Sequence, residues 1–501
     1  MRTDTPAPPF GRLLIANRGE VAIRVIRACR ELGISPIAIH SDADAGALHV
    51  RLADRSERVG PPPARDSYLS IDAVVDAARR SGAEAIHPGY GFLSEDVALA
   101  RAVEAAGFVF VGPPPSALEA LGNKLVARRS ADEAGVPIVP GTTVALTNDA
   151  GAVADIGYPV MLKAAAGGGG RGMRRVDRPE DLRPAMDSAR REATAAFGDG
   201  TIYVEHLVSP ARHVEVQLLG DRHGGLAVLG ERECSIQRRH QKLVEESPSP
   251  AVDDAGREAL FDSARRVAAT VDFHNAATVE FLVAGDGSHY FLEMNTRLQV
   301  EHGVTELVTG LDLVAWQIRI AAGERLPVEV LDAPRRGHAI EVRLYAEDPY
   351  DGFRPTVGRI GAWVMPAGPG VRVDAGIEAD TDLRPEYDPL LAKLMVHAED
   401  RPAAVRRLRR ALDETLIGGL QTDAGFLRWL VDDPTFVAGA YETGFIAERW
   451  RNGPQLDDEE RALAALAATA ARRDAPRRDA VEVAPQGSAW GEVGRRETLR
   501  E

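Results

Sequence analysis

His289-Tyr-Phe-Leu-Glu293-Met-Asn295-Thr-Arg297-Leu-Gln299-Val-Glu301-His302 decides how the rest of this chain is read. Extended backbone alternates its side chains between two faces. That puts Glu293, Asn295, Arg297, Gln299 and Glu301 on one side and Leu292, Met294, Thr296, Leu298 and Val300 on the other. Upstream, Thr278-Val-Glu280-Phe-Leu-Val283 also has strand character, and Asp286-Gly287 between the two runs is a strong two-residue turn. Counting outward from that turn sets Glu280 opposite Glu293. Cross-strand Cβ atoms lie roughly 4.5–5.5 Å apart, so the two carboxylates, with the Asn295 amide one step along, form a donor set for hard divalent cations. A solvated charged hairpin is the simpler reading for a lone pair of glutamates. Five polar groups of complementary kinds on one face, Arg297 among them, point instead to a phosphoryl-transfer site.

At 501 residues the chain exceeds what one core supports, and several domains are expected. Its 45% hydrophobic and 27% charged content is that of a globular protein, and a net charge of -15 argues against a general nucleic-acid or anionic-membrane binder. The first ten residues lack an apolar core or an Arg-rich amphipathic stretch, and no run is long and apolar enough to span a bilayer, so a cytoplasmic location is expected. Cys29 and Cys234 cannot make a disulfide framework and are expected to be buried thiols. Among 60 basic residues only four are lysines, Lys124, Lys163, Lys242 and Lys393. A chain that supplies nearly all its positive charge as Arg keeps Lys where a compact ammonium fits and a guanidinium does not. Lys124, Lys163 and Lys242 therefore become site candidates, while Lys393, within Leu-Leu-Ala-Lys-Leu-Met, is expected in a packed element.

Residues 12–120 alternate short apolar strands with helical stretches, as in a βαβ layer: a strand at 12–16, a helix at 20–32, a strand at 34–39. Asn17-Arg18-Gly19-Glu20 lacks the three-glycine dinucleotide fingerprint, so the domain is Rossmann-like without an NAD signature. His87-Pro-Gly-Tyr90-Gly91-Phe-Leu-Ser-Glu95 follows a strand, where open α/β sheets bind ligands. One helix is expected from Ser116 to about Gly135. Tyr158-Pro-Val-Met-Leu-Lys163 then leads into Gly167-Gly168-Gly169-Gly170-Arg171, a loop able to cradle phosphates and to move as a lid. Thr201 to Val208, holding Glu205 and His206, reads as a strand and an edge for a base, and Arg212-His213-Val-Glu-Val-Gln as an alternating strand. Glu231 to Lys242 is dense in charged and polar groups, and the scarce Lys242 makes it an anion site. Residues 335–393 read mostly as strands, with Arg343 on the face of Glu341 and Tyr345; an ion pair with Glu341 or Glu347 is the simple expectation there. A helix is expected over 402–416. Beyond Pro454 an Ala-rich helix, a polar linker and the small Ser488-Ala-Trp490 and Gly494-Arg-Arg496 motifs are expected, without a core of their own.

Five collinear stretches make the resemblance specific: Ile-Ala-Asn-Arg-Gly-Glu at 15–20, His-Pro-Gly-Tyr-Gly-Phe-Leu-Ser-Glu at 87–95, Lys-Ala-Ala-Ala-Gly-Gly-Gly-Gly-Arg-Gly-Met at 163–173, Gln-Arg-Arg-His-Gln-Lys at 237–242, and Glu-Met-Asn-Thr-Arg-Leu-Gln-Val-Glu-His at 293–302. Over roughly residues 11–450 the chain resembles the ATP-grasp biotin carboxylases. The resemblance implies an α/β and α+β multidomain fold: a Rossmann-like N-terminal domain over 1–120, an ATP-grasp domain over 121–335 with a lid over about 138–207, a mainly β C-terminal domain over 336–450, and a helical or flexible tail over 451–501. It implies that Lys124, Lys163 and the lid glycines Gly168, Gly169 and Gly170 hold ATP phosphates, that Glu205, His206 and Val208 border adenine, and that His213, Gln237 and His240 belong to the nucleotide site. Glu280, Glu293 and Asn295 would hold Mg²⁺ or Mn²⁺, two ions being expected. Bicarbonate would lie near Lys242, Arg297, Gln299 and Val300, with Glu301 as base; Arg343 would stabilise the biotin enolate, and Tyr90 and Gly91 would border the biotin ring.

The same resemblance implies biotin on a carrier protein as substrate, a carboxyltransferase partner and a homo-oligomer within an acetyl- or propionyl-CoA carboxylase. Biotin attaches to Lys, and no Lys follows Lys393, so the carrier is expected on another chain. The sequence departs from the common pattern at Ala166, His206 and Gly303, where relatives carry Gly, Lys and Pro. Two other readings stay open on these residues. One is a different ATP-grasp ligase of the carbamoyl-phosphate or purine type, the other a non-catalytic scaffold subunit.

Overall fold

The computed structural model describes residues 8–451 apart from 143, 147–152, 154 and 166–171, together with 453. The glycines at 168–170, Ala166 and the tail motifs beyond Pro454 lie outside the described residues.

Short apolar runs in the N-terminal part build a five-stranded parallel sheet in the order Arg55–Gly60, Ser35–Ser41, Arg12–Ile15, Ala85–His87, Val109–Phe110. The helix Gly19–Glu31 buries Val21, Val25 and Cys29 against Leu13 and Ile15. Strand order reverses between Arg12–Ile15 and Ala85–His87, and a crevice opens beyond their carboxyl ends at such a point. Asn17 ties the two loops there together, its Nδ2 donating to the carbonyls of Pro88 (2.7 Å) and Tyr90 (2.8 Å).

A second, antiparallel sheet runs through eight strands in the order His289–Asn295, Asn275–Ala284, Ala211–Gly220, Leu226–Arg238, Gln241–Ser247, His338–Tyr345, Leu390–Ala398, Val371–Ala375. It continues across residues 335/336, since Val244 pairs with Val342. Period-2 alternation explains its two faces. Val214, Val216, Ala277, Val279 and Phe281 bury against Leu260, Phe261, Ala264 and Val267 of the helix Asp254–Ala268. Farther along, Ile340, Val342, Leu394 and Val396 bury against Val405, Leu408 and Leu412 of the helix Arg401–Glu414. The residues between them, His213, Glu215, Glu280, Glu341, Arg343 and Lys393, are left for the polar side.

The hairpin does pair Glu280 with Glu293, but not by the counted route: Val283 pairs with His289 and Phe281 with Phe291 around a three-residue turn, and a register shift between Phe281 and Glu280 restores the expected partner. Its second strand, however, ends at Asn295, and residues 296–301 turn away before the helix His302–Thr309. Leu298 gives the reason: it is fully buried in the cluster that holds Leu13, Val314 and Ile318, which a strand continuing along the sheet could not reach. Alternation therefore does not set the positions of Arg297, Gln299 and Glu301. The expected single helix after Ser116 is two helices, Pro115–Gly122 and Lys124–Glu133. Asn123 breaks it, with extended backbone and an Oδ1 that accepts from the Leu125 (3.0 Å) and Val126 (3.2 Å) N–H groups, so Lys124 stands at the head of the second. A three-stranded sheet, Arg174–Val176, Val160–Ala164 and Ile202–His206, forms a smaller layer with the helix Leu182–Phe197. Among the described residues no helix is long and apolar enough to cross a membrane.

The hairpin rests on its apolar face, where fully buried Phe281 meets Phe291 edge-on with ring centroids 6.5 Å apart. Phe281→Ala is expected to destabilise by about 3–5 kcal/mol, read as a lower denaturation midpoint.

Candidate active site

Register aligns charge across the sheet. Glu280 pairs with Glu293 on one side and with Glu215 on the other, and Glu215 pairs with Arg232. Three carboxylates on adjacent strands repel unless cations lie between them. The structure supplies cations at Lys124, Lys242 and Arg232. Lys124 Nζ meets Glu293 Oε2 at 2.5 Å, and His213 Nε2 meets Glu280 Oε2 at 2.7 Å. Arg232 Nε meets Glu215 Oε1 at 2.5 Å, and Lys242 Nζ meets Glu215 Oε2 at 2.5 Å and Glu280 Oε1 at 3.1 Å. Burial by itself would raise the Glu280 and Glu293 carboxyls; the ammonium of Lys242 for the first and of Lys124 for the second outweighs it and holds both below the usual range. The Asn295 Nδ2 reaches both carboxylates, Glu280 at 2.9 Å and Glu293 at 3.4 Å, so the two acids converge. Its Oδ1 accepts from Arg297 Nη2 at 3.3 Å, and a metal-ligand role for Asn295 requires the opposite amide orientation.

Lys242 also holds Glu301 Oε1 at 2.7 Å, while Arg343 Nη2 takes Glu301 Oε2 at 2.9 Å and Glu245 Oε1 at 2.5 Å. The expected partners of Arg343, Glu341 and Glu347, are replaced by Glu245 and Glu301, because the 296–301 turn delivers Glu301 over the strand His338–Tyr345. Burial opposes ionisation of Glu301, but Lys242, Arg343 and Arg232 together keep its carboxyl well below the ordinary range. Burial raises Glu245 to about 7 against the pull of Arg343.

On the three-stranded sheet, Lys163 pairs with Glu205, whose other oxygen takes Arg128 Nη1 at 2.6 Å. The Glu205 carboxylate is thus turned inward as a counter-ion. His206 Nδ1 lies 3.3 Å from the Gly157 carbonyl, and Val208 is half-buried beyond it. Gln237 and Lys242 are cross-strand partners in a hairpin whose turn is Arg239-His240, both at positive φ (49° and 68°). Two successive non-glycine residues there cost roughly 1–2 kcal/mol each and hold His240 at the rim. Across the crevice, Arg297 donates through Nε to Glu95 Oε2 (2.9 Å) and through Nη1 to Gln299 Oε1 (2.6 Å). Gly91, at φ 67°, follows Tyr90, whose buried hydroxyl has no hydrogen-bond partner in the structure. Gly303 is explained by Met395: a Cβ at 303 would overlap the Met395 sulfur.

The sequence reading missed Glu215, Arg232, Glu245 and Lys393. Polar residues at odd positions from His213 to Gln217 put Glu215 on one face, yet no tight turn ties that strand to the hairpin, so its register could not be counted. Lys393 is packed as expected, but its ammonium is fully buried and donates to the Val300 carbonyl at 2.7 Å.

A glutamate-lined hairpin facing two lysines, beside a Rossmann-like crevice, defines an ATP-grasp ligase. Residues 123–329 match the family described as carbamoyl-phosphate synthase L chain, ATP binding domain, flanked by matches to the biotin carboxylase N-terminal domain at 9–118 and C-terminal domain at 341–448. The chain is 49% identical over 440 residues to a biotin carboxylase of Halalkalibacterium halodurans, covering 87% of this chain and 97% of that one. It is 48% identical over 488 residues to a propionyl-CoA carboxylase alpha chain of Ruegeria pomeroyi, covering 91% and 72%. The biotin carboxylase domain dimer of the Hydrogenobacter thermophilus 2-oxoglutarate carboxylase, solved with MgADP, ADP and bicarbonate, superposes with a TM-score of 0.86 at 43% identity, covering 89% and 99%. The chain belongs to the biotin carboxylase family and is an ATP-dependent ligase.

His87 sets the crevice loop. Its Nδ1 accepts the Gly89 N–H at 3.0 Å, which requires a neutral ring, and burial pushes its pKa down to about 3. A folded value below the unfolded one stabilises above about pH 6.5, and that stability is lost as pH falls toward the folded pKa. The stability gap between wild type and His87→Asn is therefore expected to narrow by about 2 kcal/mol from pH 7.5 to pH 5, measured by urea denaturation.

Proposed function

We propose that this chain carboxylates N1′ of biotin carried on a protein, using ATP and bicarbonate, as the first half-reaction of an acyl-CoA carboxylase. The observation that carries the reading is Glu301, an ionised carboxylate gripped by Lys242 and Arg343. Such a carboxylate can take the proton of bicarbonate while Lys242, Arg297, Gln299 and the Val300 backbone hold its oxygens. The freed oxyanion attacks the γ-phosphorus, the bond to ADP breaks, and carboxyphosphate forms. Carboxyphosphate separates into CO₂ and phosphate; the phosphate takes the N1′ proton, and N1′ bonds to CO₂. Arg343 would stabilise the biotin enolate, with Tyr90 and Gly91 bordering the ring. Most of this help is positioning and charge neutralisation.

Glu280 and Glu293 are hard oxygen donors that converge, which fits Mg²⁺ or Mn²⁺, and Asn295 in its other orientation adds a third. When bound, the ions neutralise phosphate charge. Lys124, Lys163 and the glycines at 168–170 would hold phosphates, and Glu205, His206, Val208, His213, Gln237 and His240 would complete the nucleotide site. Lys124 and Lys163 now pair with Glu293 and Glu205, so nucleotide and metal would exchange those partners. The MgADP and bicarbonate of the Hydrogenobacter domain support this arrangement, and the Ruegeria alpha chain supports an acyl-CoA setting. We assign residues 1–120, 121–335 and 336–450 as N-terminal, ATP-grasp and C-terminal domains of a cytoplasmic enzyme. It would work as a homo-oligomer with a biotin carrier and a carboxyltransferase.

Biotin-stimulated, bicarbonate-dependent ADP release tests the reading. Glu301→Gln and Lys242→Gln are each expected to lower the stimulated rate about 10²–10³-fold while nucleotide still binds. Unchanged turnover in either would refute the assignment.

A further inference from the structure

Lys393 lies outside the catalytic roles described so far, yet it stands where all three parts of the chain meet. On the sheet it is the cross-strand partner of Arg343 on one side and Asp374 on the other. From the Gly19–Glu31 helix, Glu20 Oε1 approaches to 3.5 Å, and from the crevice loop the Tyr90 ring centroid lies 5.9 Å away. A fully buried ammonium is costly unless paired. Carboxylates to pair it are present, and both oxygens of Glu20 and of Glu341 are buried without a hydrogen-bond partner. A cation serving only to neutralise them would close on one of those oxygens. Instead its short contact, 2.7 Å, goes to the Val300 carbonyl in the 296–301 turn.

We infer that Lys393 is a positioning residue for the bicarbonate site, fixing the Val300–Glu301 peptide so that the Glu301 carboxylate stays between Lys242 and Arg343. The inference rests on the reading of Val300 and Glu301 given above. It also explains why this position is one of four lysines: a point charge reaches a single carbonyl between packed strands, where a planar guanidinium does not fit. Burial raises the Glu20 carboxyl to about 7 and Lys393 counters it from 3.5 Å, while the shorter contact of the ammonium goes to the Val300 carbonyl.

Two variants separate positioning from charge balance. Lys393→Met removes the contact but strands Glu20 and Glu341; Lys393→Met with Glu20→Gln and Glu341→Gln removes the cation together with both unpartnered acids. Both are expected to raise KM for bicarbonate about 10- to 100-fold, the loss of one charge-assisted hydrogen bond, with ATP affinity unchanged. The readout is steady-state ADP release in the presence of free biotin, with ATP affinity by calorimetry. A triple variant with the wild-type KM for bicarbonate overturns the inference, because Lys393 would then only neutralise Glu20 and Glu341. A wild type without bicarbonate-dependent ADP release overturns the site reading itself, and this inference with it.

Discussion

Three glutamates, Glu293, Glu280 and Glu215, stand side by side on adjacent strands of one sheet, and like charges at that spacing do not remain ionised without cations among them. Lys124, Lys242 and Arg232 are those cations, each from a different element, and the His213 ring lies 2.7 Å from Glu280. Because the charges balance locally, the opposite face can carry the apolar residues that the helices Asp254–Ala268 and Arg401–Glu414 bury, alongside Glu231, Glu233 and Glu246, which are paired with Arg257, Arg212 and Arg401. The polar row is thus a condition for the fold and carries the donors on which the proposed metal and phosphate site rests.

The rest of the molecule adds reach to that row. Strands on both sides of residue 335 share the sheet, so Arg343 and Lys393 come within range of Glu301 and Val300. The Rossmann-like sheet supplies the opposite wall: Glu95 draws Arg297 across, and Asn17 locks the Tyr90 loop at the strand-order reversal. Lysine placement follows the same logic, since all four lysines lie in this charged layer and each meets an acid or a carbonyl at short range.

Local features were legible in the sequence. The Asp286-Gly287 signal located the hairpin, the scarce lysines pointed to Lys124, Lys163 and Lys242, and five collinear motifs pointed to the family; the register itself depends on a shift between Phe281 and Glu280 that no turn signal shows. Long-range packing was not legible. Periodicity carried the strand on to Glu301, whereas burial of Leu298 in a cluster shared with Leu13, Val314 and Ile318 turns the chain after Asn295. Asn123 looked like the middle of a helix and is a cap. Glu215, Glu245 and Arg232 join the site through strand pairings with no tight turn to count from, and Lys393 looked like packing because its partners come from two other segments.

The central claim is that the Glu280–Glu293 pair exchanges its lysine for metal when nucleotide binds. A crystal structure with a non-hydrolysable ATP analogue and Mg²⁺ tests it directly. The account predicts an ion bound by both carboxylates and the phosphate tail, with Lys124 moved from Glu293 onto a phosphate. A bound nucleotide with Lys124 still on Glu293 and no ion between the two acids would contradict it.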